Sequence, residues 1–211
     1  MVPKRWKYGS FKRFFDLTCS AVLLVVLSPV MAALTLVIRV TDGRPVLFVQ
    51  LRPGLSEKPF RLIKFRTMRS PSANHLPQKE SDLITPLGRA VRRLSLDELP
   101  QLWNIFKGDM SFIGPRPLLV EYLPLYNGRQ AMRHQVRPGM TGLAQVKGRN
   151  ALTWDQKLEL DVQYVQSVSL LQDIAIAMQS IAVVFSGRGV TPHGAELMVP
   201  FTGSSSSSKT Q

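Results

Sequence analysis

A chain of 211 residues can bury one core, and its 27 Lys and Arg against 14 Asp and Glu give a net charge of +13. Such an excess calls for an anionic partner: nucleic acid, acidic lipid headgroups or a phosphorylated small molecule. The single cysteine, Cys19, excludes an internal disulfide framework and a cysteine-based zinc cluster, and the scattered His75, His134 and His193 do not form a metal-binding pattern.

After the basic start KRWKYGSFKR comes an uncharged apolar run, Leu17 to Ile38, longer than the roughly 20 residues that a helix needs to cross a bilayer. Ser28-Pro29 interrupts it near its midpoint, and an interior proline removes one helix hydrogen bond, so a kink is expected there. Lys4, Arg5, Lys7, Lys12 and Arg13 precede the run, and Arg39, Arg44, Arg52, Lys58 and Arg61 follow it. The positive-inside rule draws both ends to the cytoplasmic face, which predicts a hairpin-like re-entrant helix. A kinked spanning helix and a secretory signal peptide ending near Val30-Met31-Ala32 are the alternatives. The second is disfavoured because a signal core runs to about 7–15 apolar residues.

VLFVQL, RPGLSEK and PFRLIKFRTM read as two β-runs joined by a Pro-Gly turn. Period two places Leu62, Lys64 and Arg66 on one face and Arg61, Ile63 and Phe65 on the other. A solvated edge strand using lysine against aggregation is the plain alternative. SPSANHLPQKES, residues 70–81, reads as a flexible loop. Helical patterns follow over Leu99–Lys107, Thr153–Ser167 and Leu170–Phe185, with RPGMTGLAQVKGRN as a turn-rich run between the first two. Leu170, Leu171, Ile174, Met178, Ile181, Ala182 and Phe185 make an apolar stripe, ordinarily a core face and less often a membrane-surface face. The tail GSSSSSKTQ is low-complexity and is expected to be disordered.

The stretch SLDELPQLWNIFKGDMSFIGPRP, residues 95–117, sets two adjacent acids in this basic chain. From spacing alone Ser95 and Glu98 fit a capping box, although Pro100 also allows a helix that begins after the acids. In both versions Asp97 and Glu98 lie at a helix N-terminus, where the dipole favours their ionised forms. Arg89, Arg92 and Arg93 precede them, and Gly114-Pro115-Arg116-Pro117 presents an arginine on a stiff turn suited to bidentate phosphate binding. A carboxylate pair in a basic bowl suits phosphoryl transfer, with one acid as nucleophile and one for a metal ion.

KFRTM (64–68), LSLDELPQL (94–102), KGDMSFIGPRPLLVEYLPLY (107–126), RPGMTGLAQVKGRN (137–150) and LDVQYV (160–165) stand in this order behind the Ser28-Pro29 segment. From about Phe11 to Phe201 the chain closely resembles the monotopic phosphoglycosyl transferases of bacteria, nearest to the small enzymes that begin N-glycan assembly with diacetylbacillosamine phosphate. The resemblance implies a mostly helical α+β fold, with a re-entrant membrane helix-break-helix in residues 1–43. A small interface-associated catalytic domain with a β-hairpin and amphipathic helices follows in residues 44–201, then a serine-rich tail in residues 202–211.

It also implies transfer of a sugar 1-phosphate from a UDP-sugar, an N-acetylated amino sugar such as diacetylbacillosamine, to undecaprenyl phosphate, with release of UMP. This would be the first membrane step of glycan assembly, such as protein glycosylation, on the cytoplasmic face of the inner membrane. Asp97 takes the nucleophile's place, in a ping-pong reaction through an aspartyl phosphosugar, and Glu98 takes that of the Mg2+ ligand. Arg116, Lys64 and Arg92 match phosphate-binding and basic site positions. Arg137, Arg149, Asn150 and Asp161 lie in family motifs, where a structural ion pair or turn contact stands equally open. Ser28 and Pro29 match the helix break. Anionic membrane lipids are further implied partners, and the sequence assigns no oligomeric state.

The competing reading, a membrane-tethered nucleic-acid-binding module, lacks an aromatic ribonucleoprotein motif, a helix-turn-helix pattern and an arginine-rich run. Nucleic acid is therefore not an expected partner.

Overall fold

The computed structural model describes residues 4–69, 83–148, 151–186 and 200–203. The expected 70–81 loop and the tail beyond residue 203 lie outside them.

Two N-terminal helices, α1 (Lys4–Val26) and α2 (Ser28–Thr41), meet at Leu27 with a bend of 58°. The break has a local cause. Pro29 lacks the N–H that would reach the carbonyl of Val25, and the Ser28 hydroxyl donates to that carbonyl instead, at 2.7 Å. No single described helix is long and apolar enough to cross a membrane, while the bent pair meets that length and composition together.

Only part of this apolar surface is free. Leu23, Leu24 and Leu27 pack against a core cluster of Phe60, Leu62, Leu102, Ile105 and Met110, whereas Val22, Val25, Val26, Leu36 and Val40 are exposed. Arg13 donates to the carbonyls of Ile105 and Phe106, at 2.6 and 2.7 Å, at the C-terminus of α4 (Gln101–Lys107), where a cation is favoured. Asp16, buried on α1, accepts from the Phe112 N–H at 3.2 Å.

β1 (Leu47–Pro53) and β2 (Pro59–Phe65) form the expected antiparallel hairpin, with Phe48 opposite Lys64, Gln50 opposite Leu62 and Arg52 opposite Phe60. The strand ends at Phe65, so Arg66 does not share the direction of Lys64. Its guanidinium instead binds the carbonyls of Asp42, Gly43 and Arg44.

α3 (Pro86–Arg93) follows, capped by the Thr85 hydroxyl accepting from the Gly88 N–H at 2.9 Å. The same hydroxyl lies 3.0 Å from Asp42 Oδ2, linking α3 to the end of α2. Gly88 is required here: a Cβ would lie 2.2 Å from the carbonyl oxygen of Thr67.

A short parallel pair, β3 (Ser111–Ile113) with β4 (Gly139–Thr141), carries the Pro115–Pro117 loop beyond its first strand. The turn-rich run thus holds a strand, followed by a short helix, α6 (Leu143–Lys147), after α5 (Gly128–Ala131). α7 (Trp154–Ser167) begins at a capping box of Thr153 and Gln156.

α8 (Leu170–Ser186) departs from the expected core face. Leu170, Leu171, Ile174, Met178 and Ile181 are exposed, and the helix packs through Ile176 with Ile113, Tyr164 and Val165. The reason is the buried Asp173 on the packed face. It accepts from Tyr8, Lys12 and the Tyr164 hydroxyl, so the polar side of α8 is drawn inward. The architecture is the expected mostly helical α+β one.

Candidate active site

The two acids sit in a single 3-10 turn, Leu96–Glu98, and α4 starts after them at Gln101. The capping-box expectation fails here. Ser95 has φ +55°, in the left-handed region, and its side chain makes no cap hydrogen bond. Glu98 does not reach back. Its Oε1 accepts from Lys64 Nζ at 2.7 Å and from Arg116 Nη2 at 2.8 Å. A backbone turned away from N-cap geometry frees the Glu98 side chain for these two cations.

Three elements converge on the acid pair. β2 brings Lys64, whose place is fixed by the buried Asn104 of α4. Asn104 Nδ2 donates to the Arg61 carbonyl at 2.7 Å, and its Oδ1 accepts from the Ile63 N–H at 3.2 Å. The solvated-strand alternative for Lys64 therefore falls. α3 brings Arg92, whose Nε donates to Thr67 Oγ1 at 2.7 Å; its charge acts on Asp97. The Pro115–Pro117 loop brings Arg116.

Electrostatics separates the neighbouring acids. Burial alone would raise the pKa of Glu98, but the charges of Arg116 and Lys64 and their hydrogen bonds bring it down to about 2. Asp97 moves the other way, raised by burial and by the charge of Glu98, with Lys64, Arg92 and Arg116 offsetting only part. Among the described residues its carboxylate takes no hydrogen bond. One acid is held by cations; the other is desolvated and uncommitted. The lysine is affected in turn, its pKa lowered by burial and by Arg116.

Asp161 belongs to a supporting layer. It is buried and paired with the buried Arg133, Oδ2 accepting from Nη2 at 2.7 Å and from Nε at 3.1 Å. Arg133 Nη2 also donates to the Arg116 carbonyl at 2.6 Å, and Nη1 to the Tyr126 hydroxyl at 3.0 Å. This ion pair holds the backbone that presents Arg116.

Arg137 turns elsewhere: its Nε donates to the Gly108 carbonyl at 2.9 Å, beside Arg13 and Asp16. Arg149 and Asn150 lie outside the described residues. Ser28 and Pro29 form the helix break, as expected.

Two arginines escape sequence reasoning. Arg133 lies 28 positions from its acid and carries no motif signal. Arg52 reads as one more basic flank of the apolar run, yet its guanidinium faces the Pro115–Pro117 loop, with Nη1 3.4 Å from the Pro117 carbonyl. A shallow depression lies between the hairpin turn, this loop and Arg133–His134.

For a metal ion, both cationic contacts to Glu98 fall on Oε1, and no described residue bonds Oε2. No cluster of three or more His, Cys, Asp or Glu side chains occurs among the described residues. The donor set suits Mg2+, which takes one or two carboxylates and completes its shell with substrate phosphate and water.

A carboxylate that takes no hydrogen bond from the described residues, beside a cation-held one and among Lys64, Arg92 and Arg116, is an arrangement suited to phosphoryl transfer. The particular kind follows from similarity: the chain belongs to the bacterial sugar transferase family, matching it over residues 7–187, and is a phosphoglycosyl transferase. It is 47% identical to the uncharacterized sugar transferase EpsL of Bacillus subtilis, over 92% of this chain and 96% of the relative. It is 37% identical to the UDP-glucose:undecaprenyl-phosphate glucose-1-phosphate transferase of Caulobacter vibrioides, over 81% of this chain and 68% of the relative. It is 36% identical to the UDP-N-acetylgalactosamine-undecaprenyl-phosphate N-acetylgalactosaminephosphotransferase of Aeromonas hydrophila, over 86% of this chain and 45% of the relative.

Proposed function

We propose that the protein transfers a sugar 1-phosphate from a UDP-sugar to a polyprenyl phosphate through a covalent intermediate on Asp97. The observation that carries this reading is the division of labour in the acid pair. Glu98 is committed to Lys64 and Arg116, while Asp97, one residue away, is half-buried, takes no hydrogen bond from the described residues and has a raised pKa. Weak solvation and higher basicity both favour a carboxylate as nucleophile.

An Asp97 oxygen attacks the β-phosphorus of the nucleotide sugar, and the bond from that phosphorus to the oxygen bridging the α-phosphate breaks. UMP departs with the bonding electron pair. A phosphate oxygen of the polyprenyl acceptor then attacks the acyl phosphate, giving a polyprenyl diphosphosugar and returning Asp97 as a carboxylate. Arg116, Lys64 and Arg92 bind and orient the phosphate oxygens and counter their charge. Glu98 would hold Mg2+, and the ion would supply neutralisation of phosphate charge.

The basic residues on both flanks of the bent helix pair support a re-entrant helix with both ends on the cytoplasmic side, and the 58° bend is compatible with it. We assign the donor sugar to the N-acetylated amino sugars, the class that the motif resemblance implies and that the name of the Aeromonas relative carries. Glucose, in the name of the Caulobacter relative, is the competing outcome. The test is a panel of UDP-sugars incubated with Mg2+ and polyprenyl phosphate. UMP formation and a lipid diphosphosugar are expected with an N-acetylated donor; UMP from UDP-glucose but not from an N-acetylated donor would refute the sugar assignment, and UMP from none of the panel would refute the reaction.

A further inference from the structure

Arg52 sits on the face of the hairpin that carries Lys64, Leu62 and Phe60. Its Nη2 donates to Gln50 Oε1 at 2.6 Å, and its Nε is buried without an acceptor among the described residues. The ion pairs among those residues do not include it.

Its electrostatic setting is unfavourable: burial and then the positive charge of Arg116 lower its proton affinity, with Glu121, Tyr122 and Tyr126 acting the other way. Its Nη1 lies 3.4 Å from the Pro117 carbonyl, so the guanidinium sits against the loop that presents Arg116. The charge of Arg116 thus bears on an arginine that makes no ion pair with the described residues, a repulsion that is relieved when one anion binds both.

We propose that Arg52 and Arg116 form a two-arginine clamp for a phosphate group, with Arg52 supplying the second planar fork from the hairpin. The clamp rests on the phosphoglycosyl transfer proposed above and adds a site to it. The place of Arg52 against the Pro115–Pro117 loop, with hydrogen bonds to Pro117 and Gln50 and none to Asp97 or Glu98, suits a phosphate that is bound but not attacked by Asp97. That group is either the α-phosphate of the nucleotide or the phosphate of the incoming polyprenyl acceptor. An arginine presented next to a buried proline, Pro53, from a strand paired along its length is held rigidly enough to act as one prong.

The experiment uses the full chain in detergent with Mg2+, as wild type, Arg52→Gln and Arg52→Lys. It measures the Kd of UDP, the Kd of inorganic pyrophosphate, the KM of polyprenyl phosphate and the unliganded Tm. Arg52→Gln should keep its Tm within a few degrees, bind pyrophosphate about tenfold or more weakly, and show a shallower salt dependence of binding. Arg52→Lys should recover the salt dependence but not the full affinity.

Weaker UDP binding places the donor's α-phosphate in the clamp, and a raised KM for polyprenyl phosphate with unchanged UDP binding places the acceptor there. Unchanged pyrophosphate, UDP and acceptor constants would overturn the clamp. So would losses that merely follow a fall in Tm, because they would make Arg52 a tie between hairpin and loop. A wild type that releases UMP from no UDP-sugar refutes the proposed reaction separately, since pyrophosphate binding still decides the clamp.

Discussion

Asp97 and Glu98 are adjacent in the chain yet answer to opposite influences, and this sets the pH behaviour of the site. Glu98, brought down to about 2 by Arg116 and Lys64 against its burial, stays ionised throughout the working range. Its depressed folded-state value adds stability that is present above the ordinary carboxylate range, near pH 4.5, and is lost as pH falls toward 2. Asp97, raised by burial and by Glu98, titrates above its ordinary value, so it should set the acid limb of UMP release. Glu98→Gln removes a negative neighbour and leaves Lys64 and Arg116 free to act on Asp97. The acid limb should therefore move to lower pH while Mg2+ dependence weakens, as a pH profile of the UMP burst would show. Arg116→Lys should lower turnover by about 10²-fold, because an ammonium cannot make the two-pronged contact. Asp161→Ala strands the buried Arg133 charge and should cost about 3–5 kcal/mol in denaturant unfolding. The acid pair, Lys64 and Arg116 are legible in the sequence because their chemistry is unusual in context. The Arg133–Asp161 pair is not, because an ion pair 28 positions apart, aimed at a backbone carbonyl, leaves no local pattern.

At the scale of elements, local rules and tertiary contacts divide the outcome. Proline placement and apolar periodicity foretell the helix break, the hairpin and α7, since each is decided by residues within a few positions of one another. The face of α8 is decided by one buried aspartate meeting Tyr8 and Lys12 of a distant helix, so its apolar stripe is misread as core. The capping box is misread for a similar reason: Glu98 has better partners on other elements than its own helix start. α3 owes its place to a glycine. Gly88→Ala would set a Cβ at 2.2 Å from the Thr67 carbonyl oxygen, which should cost about 1–3 kcal/mol and draw Arg92 from the site. A lowered Tm with a larger loss of UMP release than of UDP binding would show it. At the break itself, Pro29→Ala restores the missing N–H to the Val25 carbonyl and should straighten the pair toward a spanning form. Cysteine labelling from each side, at Ser10→Cys and Ser56→Cys in a Cys19→Ser background, reads the change: same-side labelling with Pro29, and a fraction labelled from opposite sides with alanine.

For the whole molecule, the proposed reaction unites two features that otherwise stand apart. One is the net charge of +13, suited to two phosphate substrates and an anionic bilayer surface. The other is the exposed apolar surface of α1, α2 and α8, suited to an acceptor that resides in lipid. Family and reaction class were legible because several motifs keep their order along nearly the whole chain. The sugar was not, because the residues gathered at the acid pair are carboxylates and cations, whose chemistry suits phosphate and a metal ion and does not distinguish one sugar from another. The central claim is that Asp97 itself becomes phosphorylated by the sugar phosphate before the lipid arrives. Intact-protein mass after incubation with UDP-sugar and Mg2+, without polyprenyl phosphate, tests it most directly. The account predicts a gain of one sugar-phosphate mass on the Asp97 peptide together with stoichiometric UMP, both absent in Asp97→Asn. No added mass, no UMP until the acceptor is supplied, and continued turnover by Asp97→Asn would contradict it.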